Sequence, residues 1–288
     1  MMKQAVLYLR MIKFSHSIFA LPFAFTAALM AAGGIPGPWK LFWITVAMVG
    51  ARSGAMGLNR VIDRRIDADN PRTREREVAS GKISVRDAML FSVLSLALMV
   101  LAAWMLNPLC LRLSPLAIAV IAIYSYAKRF TWASHFVLGL AISGAPLGAW
   151  IAVTGRFAPR SLLIAASVIC WLAGFDILYA LQDTNFDRGA GLYSIPARFG
   201  VRASLVFSRV LHLASWLLLV LAGVVFHMGA AYWTGMLVVA FLFLYEHSLV
   251  RHDDLSRLDI AFFNMNGYIS TAVFLFTLAD YLVEYLIF

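Results

Sequence analysis

Apolar residues in this chain come in long unbroken runs instead of alternating with polar ones. Runs of about 20 residues, the length that crosses a bilayer as an α-helix, lie near 15–33, 39–58, 88–107, 109–127, 135–154, 161–181, 203–226, 230–249 and 262–286. They predict nine helices. Unbroken runs argue against a β-barrel, whose strands alternate lipid-facing and lumen-facing positions. Only Asn107-Pro108 divides the third run from the fourth, so a tight turn is expected there. Pro22, Pro115 and Pro146 fall inside runs, which a membrane bundle tolerates because neighbouring helices re-satisfy the freed backbone groups. The first run is as long as a spanning helix, so it reads as one and not as a cleaved leader.

Composition agrees. The chain is 62% hydrophobic and 14% charged, with mean hydropathy +0.81, where soluble domains carry about 25% charged residues. An all-α, polytopic membrane protein is expected, with residues 1–288 forming one domain. With nine spans, the N-terminus and the connections 2–3, 4–5, 6–7 and 8–9 share one side. That side holds most of the 24 Lys and Arg. By the positive-inside rule it is cytoplasmic, which leaves the C-terminus outside. The same bias accounts for most of the net charge of +9, so nucleic acid is not an expected partner. Cys110 and Cys170 have neither metal nor disulfide spacing and read as packing residues.

Against this apolar background, "NRVIDRRIDADNPRTRERE" (residues 59–77) concentrates five carboxylates and six arginines. Asn59, Asp63 and Asp67 recur every four residues and so share one helical face. A second set, Asp176, Asp183 and Asp187, is spaced by seven and four, with Tyr179 beside it. Both sets fall at cytoplasmic ends of predicted helices, where they are able to meet. Acidic residues contribute little to topology, and ionisable groups near the membrane interior mark functional paths. Carboxylates with an Asn suit a hard cation such as Mg²⁺, bound through one or two carboxylates and substrate phosphates. Arg64, Arg72, Arg76, Lys128, Arg129 and Arg188 are side chains of the kind that hold phosphate oxygens. Arg65, Arg74, Glu75 and Glu77 read as solvated loop charges. The combination suggests a site for a lipid diphosphate.

"NRVIDRRID" and "DTNFD" resemble the NxxxDxxxD and DxxxD signatures of the UbiA family of intramembrane aromatic prenyltransferases. "PRTRERE", "ASGKIS", "YSYAKRFT" and "YSIPARFG" extend the resemblance over nearly the whole chain. It implies a nine-helix bundle with a cytoplasm-facing active site in a bacterial cytoplasmic membrane. It further implies that Asn59, Asp63 and Asp67 hold one Mg²⁺ and Asp183 and Asp187 another. Arg64, Arg72, Lys128 and Arg129 then clamp the diphosphate. Arg60 stands where many members carry Asp, which removes a carboxylate from the first site.

The implied activity is transfer of a polyprenyl group from polyprenyl diphosphate to a small aromatic acceptor in ubiquinone or menaquinone synthesis. The acceptor favoured by the general resemblance is 4-hydroxybenzoate. "YSYAKRFTW" and "GFDILYALQD" look closer to a branch some of whose members use a futalosine-derived acceptor. Asp176, one turn or more deeper than Asp183, is a candidate base or acceptor-orienting group. Phe14, Phe19, Phe23, Tyr124, Tyr126, Trp150 and Tyr179 are candidates to line a pocket for the allylic cation. His16 is a further candidate acceptor contact, and Asn264 and Asn266 read as helix caps or as facing the site. An ion-coupled transporter is the non-enzyme alternative. Transporters usually place their sites near the bilayer midplane, whereas these acids gather at one face.

Overall fold

The computed structural model describes residues 2–13, 20–258 and 264–287. Among them the regular structure is helical: α1 (Met2–Met11), α2 (Ala20–Ala32), α3 (Pro38–Ile62), α4 (Arg64–Asp69), α5 (Val85–Leu106), α6 (Pro108–Ala127), α7 (Ser134–Thr154), α8 (Ser161–Ala180), α9 (Thr184–Gly189), α10 (Ile195–Val225), α11 (Ala230–Leu249) and α12 (Asn266–Ile287). A single 3₁₀ turn, Leu181–Asp183, joins α8 to α9.

Each of the nine predicted segments overlaps a helix. Six helical stretches among the described residues are long and apolar enough to cross a membrane: Pro38–Ile62, Val85–Leu106, Pro108–Ala127, Ser134–Thr154, Ser161–Gly189 and Ile195–Val225. Of the rest, α2 has 13 described residues. The runs of α11 and α12 are interrupted by Glu246 and His247 and by Asn266, Asp280 and Glu284.

Helix ends follow local chemistry. Asn107 ends α5 and caps α6 by accepting from Cys110 N at 2.9 Å. Its amide also donates to Ile151 O at 2.9 Å, tying this turn to the end of α7. Gly155 closes α7 in the left-handed conformation, φ 70°. The start of α10 differs from the predicted 203. Ser194 caps a helix that already begins at Ile195, with Pro196 in its first turn, and then kinks at Gly200 (φ 82°, ψ 176°). The short polar helices α1, α4 and α9 were not predicted, because none is an apolar run.

Small residues bring α3 and α5 together. A Cβ on Gly50 would lie 2.7 Å from Ser95 O, so only a bare backbone fits, as at many helix contacts in membranes. On the other side of the bundle Phe23, Trp150, Trp171, Tyr232 and Ile269 join one buried cluster drawn from α2, α7, α8, α11 and α12. Asp280 of α12 accepts from Gly229 N and Tyr232 N at 2.6 and 3.1 Å, which satisfies two of the free N–H groups at the start of α11. The C-terminal ends of α3, α6 and α8 and the N-terminal end of α7 gather at one end of the bundle. There Met11 and Ile12, from the end of α1, pack on Val61, Val78 and Ile83.

Candidate active site

A cavity of about 270 Å³ opens at this end. Its walls come from α3, α4, α6, α7 and α8 and from the connections after α4 and α9. Asn59, Asp63, Asp67, Asp176, Asp183 and Asp187 all line it, together with Arg72, Arg76, Lys128 and Tyr179.

The first set reaches the cavity because the chain turns helically through its break. Asp63 sits between α3 and α4, yet Asp63 N still bonds Asn59 O at 2.9 Å and Asp67 N bonds Asp63 O at 2.8 Å. The spacing of four therefore keeps one direction. Asp63 is 2% exposed. Its Oδ2 accepts from Asn59 Nδ2 at 2.9 Å and lies 2.7 Å from Lys128 Nζ, while Oδ1 pairs with Arg129 at 3.1 Å. Asp67 Oδ1 pairs with Arg76 at 2.7 Å. Asp67 Oδ2 is buried without a hydrogen bond, and Arg60 Nη1 lies 4.0 Å away. Arg60 is itself buried and donates from Nε to Met11 O at 3.3 Å. Arg60 thus brings a cation to Asp67.

Asn70 and Arg72, from the loop that follows the first acidic set, join it to the second. Asn70 Nδ2 donates to Asp183 Oδ1 at 3.0 Å, and Arg72 Nε reaches the same oxygen at 2.8 Å. Arg72 Nη2 takes the other oxygen of Asp183, completing a bidentate pair. Asn70 Oδ1 accepts from Arg72 N at 2.9 Å, so this loop is pre-shaped for the contact. Arg72 Nη1 donates to Tyr179 OH at 2.6 Å, and the guanidinium lies 4.7 Å from the ring centre. Burial works against the Arg72 charge, but the bonds to Asp183 hold its pKa above the ordinary value. Asp187 Oδ2 accepts from Ser194 Oγ at 2.9 Å, and Asp176 Oδ2 lies 2.7 Å from His135 Nδ1.

Three of the residues expected to hold phosphate are not in the cavity wall. Arg64 is absent from the cavity wall. Being one residue past Asp63, it points about 100° away around the helix. Arg188 is also absent, because its guanidinium is spent on carbonyls of the first turn of α10: Ala197 O at 2.8 Å and Pro196 O at 3.4 Å. Arg129 does not line the wall but reaches Asp63 from behind and also bonds Ile62 O at 2.7 Å.

Among the expected aromatic groups, Tyr124 and Tyr179 line the cavity. Phe23 and Trp150 are buried in the apolar core, and Tyr126 is 47% exposed beneath Arg129. Asn266 is buried and, like Asn264, is not part of the wall. Phe14, His16 and Phe19 lie outside the described residues.

Lys13, Arg52, Asn70, His135, Trp171, Phe175 and Tyr193 line the cavity without having been singled out. Burial pushes the Lys13 ammonium down from its ordinary pKa, and Arg60 and Arg76 push the same way. The missed signal for Arg52 was visible: a lone arginine inside an apolar run marks function by its cost alone.

The acids and the two asparagines form an all-oxygen donor set, which suits a hard divalent cation. Among the described residues no three His, Cys, Asp or Glu side chains are grouped so that they could hold a metal ion as a cage by themselves. A Mg²⁺ that draws on one or two carboxylates and on substrate phosphates needs no such cage, and the unbonded Asp67 Oδ2 is a ready ligand atom.

This chain is similar in sequence to curated proteins and in fold to solved structures. A 4-hydroxybenzoate octaprenyltransferase from Vibrio campbellii is 33% identical over 248 residues, 86% of either chain. One from Xanthomonas campestris pv. campestris is 34% identical over 250 residues, 86% of this chain and 82% of the other. The apo structure of a UbiA homolog from Aeropyrum pernix K1 matches with TM-score 0.81 and 29% identity, covering 94% of this chain and 98% of that one. A UbiA homolog from Archaeoglobus fulgidus bound to GPP and Mg²⁺ matches with TM-score 0.71 over 96% and 99% of the two chains, a likeness of fold at 20% identity. Residues 20–268, most of the length, match the UbiA prenyltransferase family as a whole, and the chain belongs to that family.

Proposed function

We propose that this protein transfers a polyprenyl group from a polyprenyl diphosphate to 4-hydroxybenzoate in the synthesis of a respiratory quinone. The bundle then spans a bacterial cytoplasmic membrane nine times, with the cavity and N-terminus facing the cytoplasm. The observation that carries this reading is the convergence of both acidic sets with Arg72, Arg76 and Lys128 on one cavity at one end of an apolar bundle. The names of the Vibrio and Xanthomonas relatives supply the acceptor and the long prenyl chain.

In this reading the cations now paired with Asp63, Asp67 and Asp183 bind the diphosphate oxygens, Arg72 as a fork and Lys128 as a point charge. Asn59, Asp63 and Asp67, and separately Asp183 and Asp187, would hold Mg²⁺, which supplies charge neutralisation to the departing diphosphate. Preorganised charge of this kind is generally the largest catalytic contribution. Trp171, Phe175, Tyr124 and Tyr179 line the wall, where ring faces favour the allylic cation and exclude water. The bond between C1 of the prenyl group and the diphosphate oxygen breaks, diphosphate leaves with the electron pair, and a ring carbon of the acceptor bonds to C1. The C–H bond at that carbon then breaks, its electrons restore the aromatic ring, and Asp176 takes the proton.

The test is an assay on purified protein in lipid with a long-chain prenyl diphosphate and Mg²⁺, offering 4-hydroxybenzoate or an aminofutalosine-type acceptor in separate reactions. Prenylated 4-hydroxybenzoate that vanishes with EDTA and returns with Mg²⁺ supports the proposal. Product only from the second acceptor moves the acceptor assignment. Folded protein that binds no prenyl diphosphate and prenylates neither acceptor overturns the enzyme reading in favour of an ion-coupled transporter.

A further inference from the structure

The geometry points to His135 as a positioning residue that orients Asp176 toward the acceptor through a single fixed tautomer. This rests on the proposed prenyl transfer for its catalytic meaning, but the tautomer itself follows from hydrogen-bond accounting at the start of α10.

The first turn of a helix has N–H groups without intrahelical partners. In α10, Pro196 has none to satisfy, Ala197 N donates to Ser194 Oγ at 3.2 Å, and Arg198 N donates to Ser194 O at 3.0 Å. Ile195 N remains, and it donates to His135 Nε2 at 3.3 Å in a buried contact. A nitrogen that accepts from a backbone amide cannot carry its own hydrogen. The imidazole hydrogen is therefore on Nδ1, which lies 2.7 Å from Asp176 Oδ2 and donates to it. His135 is buried, 3% exposed, whereas the Asp176 side chain keeps 24% of its surface open. The imidazole thus occupies one carboxylate oxygen from behind, with the other oxygen available to the acceptor.

The arrangement also ties Asp187 to the His135–Asp176 pair. Ser194, next to Ile195, donates to Asp187, so one short segment sets both the Asp187 carboxylate and the His135 ring. His135 on α7 and Asp176 on α8 are 41 residues apart, and His135 belongs to none of the local motifs.

Two isosteres separate the roles of the two ring nitrogens. The amide nitrogen of an Asn falls near the place of Nδ1, whereas the amide of a Gln falls near Nε2. Steady-state kinetics with a long-chain prenyl diphosphate and 4-hydroxybenzoate are expected to show kcat about 100-fold lower in His135→Ala and His135→Gln. The prenyl diphosphate KM should stay within about twofold in both, because the hydrogen bond contributes nothing to diphosphate binding. His135→Asn should recover to within about tenfold of the parent, the residual loss being one hydrogen bond to Ile195 N. Asn performing no better than Ala at equal thermal stability, or a loss residing in the prenyl diphosphate KM, overturns the proposal. Nitrogen-15 solid-state NMR of the parent, assigned by the signal missing in His135→Asn, should show the Nδ1–H tautomer. An Nε2–H signal overturns the proposal whether or not the enzyme turns over. Absent turnover in the parent would strike the proposed function alone, with the spectrum still deciding the tautomer.

Discussion

The two halves of the cavity treat their carboxylates differently. Asp63, Asp67 and Asp183 are each paired with Lys or Arg: Lys128 and Arg129, Arg76, and Arg72. Asp176 and Asp187 are held by a His and a Ser. In the first half every acid comes with cations of the kind that recognise phosphate, which under the proposed function are already in place for an anionic head group. In the second half the side-chain partners are a histidine ring and a hydroxyl in place of Lys or Arg. A chain that keeps so few charges overall places two kinds of carboxylate in one cavity by varying only their neighbours.

The sharpest way to break this comparison is to remove acids from the cation-paired half. Asp63→Ala or Asp183→Ala should lower kcat/KM about 1000-fold and weaken the response to added Mg²⁺, measured in the prenylation assay with and without EDTA. Loss confined to stability, with turnover intact in the folded fraction, would remove that half from the chemistry. Next, Asp176→Asn should lower kcat about 100-fold while the prenyl diphosphate KM stays near the parent value, since this acid stands in the other half. Near-normal turnover would show that it is not the base.

Arg72→Lys should raise the prenyl diphosphate KM about tenfold, because a point charge cannot reproduce the fork that spans both oxygens of Asp183 or of a phosphate. The smallest effect is expected from Arg188→Ala. Its guanidinium serves two carbonyls of α10, so thermal stability should fall by about 1 kcal/mol with the prenyl diphosphate KM unchanged. A large rise in that KM would place Arg188 in the clamp after all.

These outcomes turn on features that differ in how far they can be read from the chain. The period of four in Asn59, Asp63 and Asp67 survives the break between α3 and α4 because the backbone bonds from Asp63 N and Asp67 N continue the helical pattern. Spacing alone therefore told where those side chains point. Arg64 and Arg188 were grouped with the phosphate ligands on residue type, but type carries no direction around a helix axis. His135 gave no signal, since it has no ligand spacing to another His and its partners lie 41 and 60 residues away. Ser194 caps α10, and only the fold shows that the same hydroxyl serves Asp187.

The amino-acid sequence by itself determined that the chain is a helical membrane bundle, roughly where its long helices run, and which two segments carry clustered acids. Those properties follow from the lengths of apolar runs and from four-residue periods, both local along the backbone. Tertiary structure alone decided which cation pairs with which carboxylate, that Asn70 and Arg72 join one acidic set to the other, and that Asp176 is held by a histidine from a neighbouring helix. The reason is physical: hydrogen bonds and ion pairs act over about 3 Å, and residues a hundred positions apart come that close only once the helices have packed.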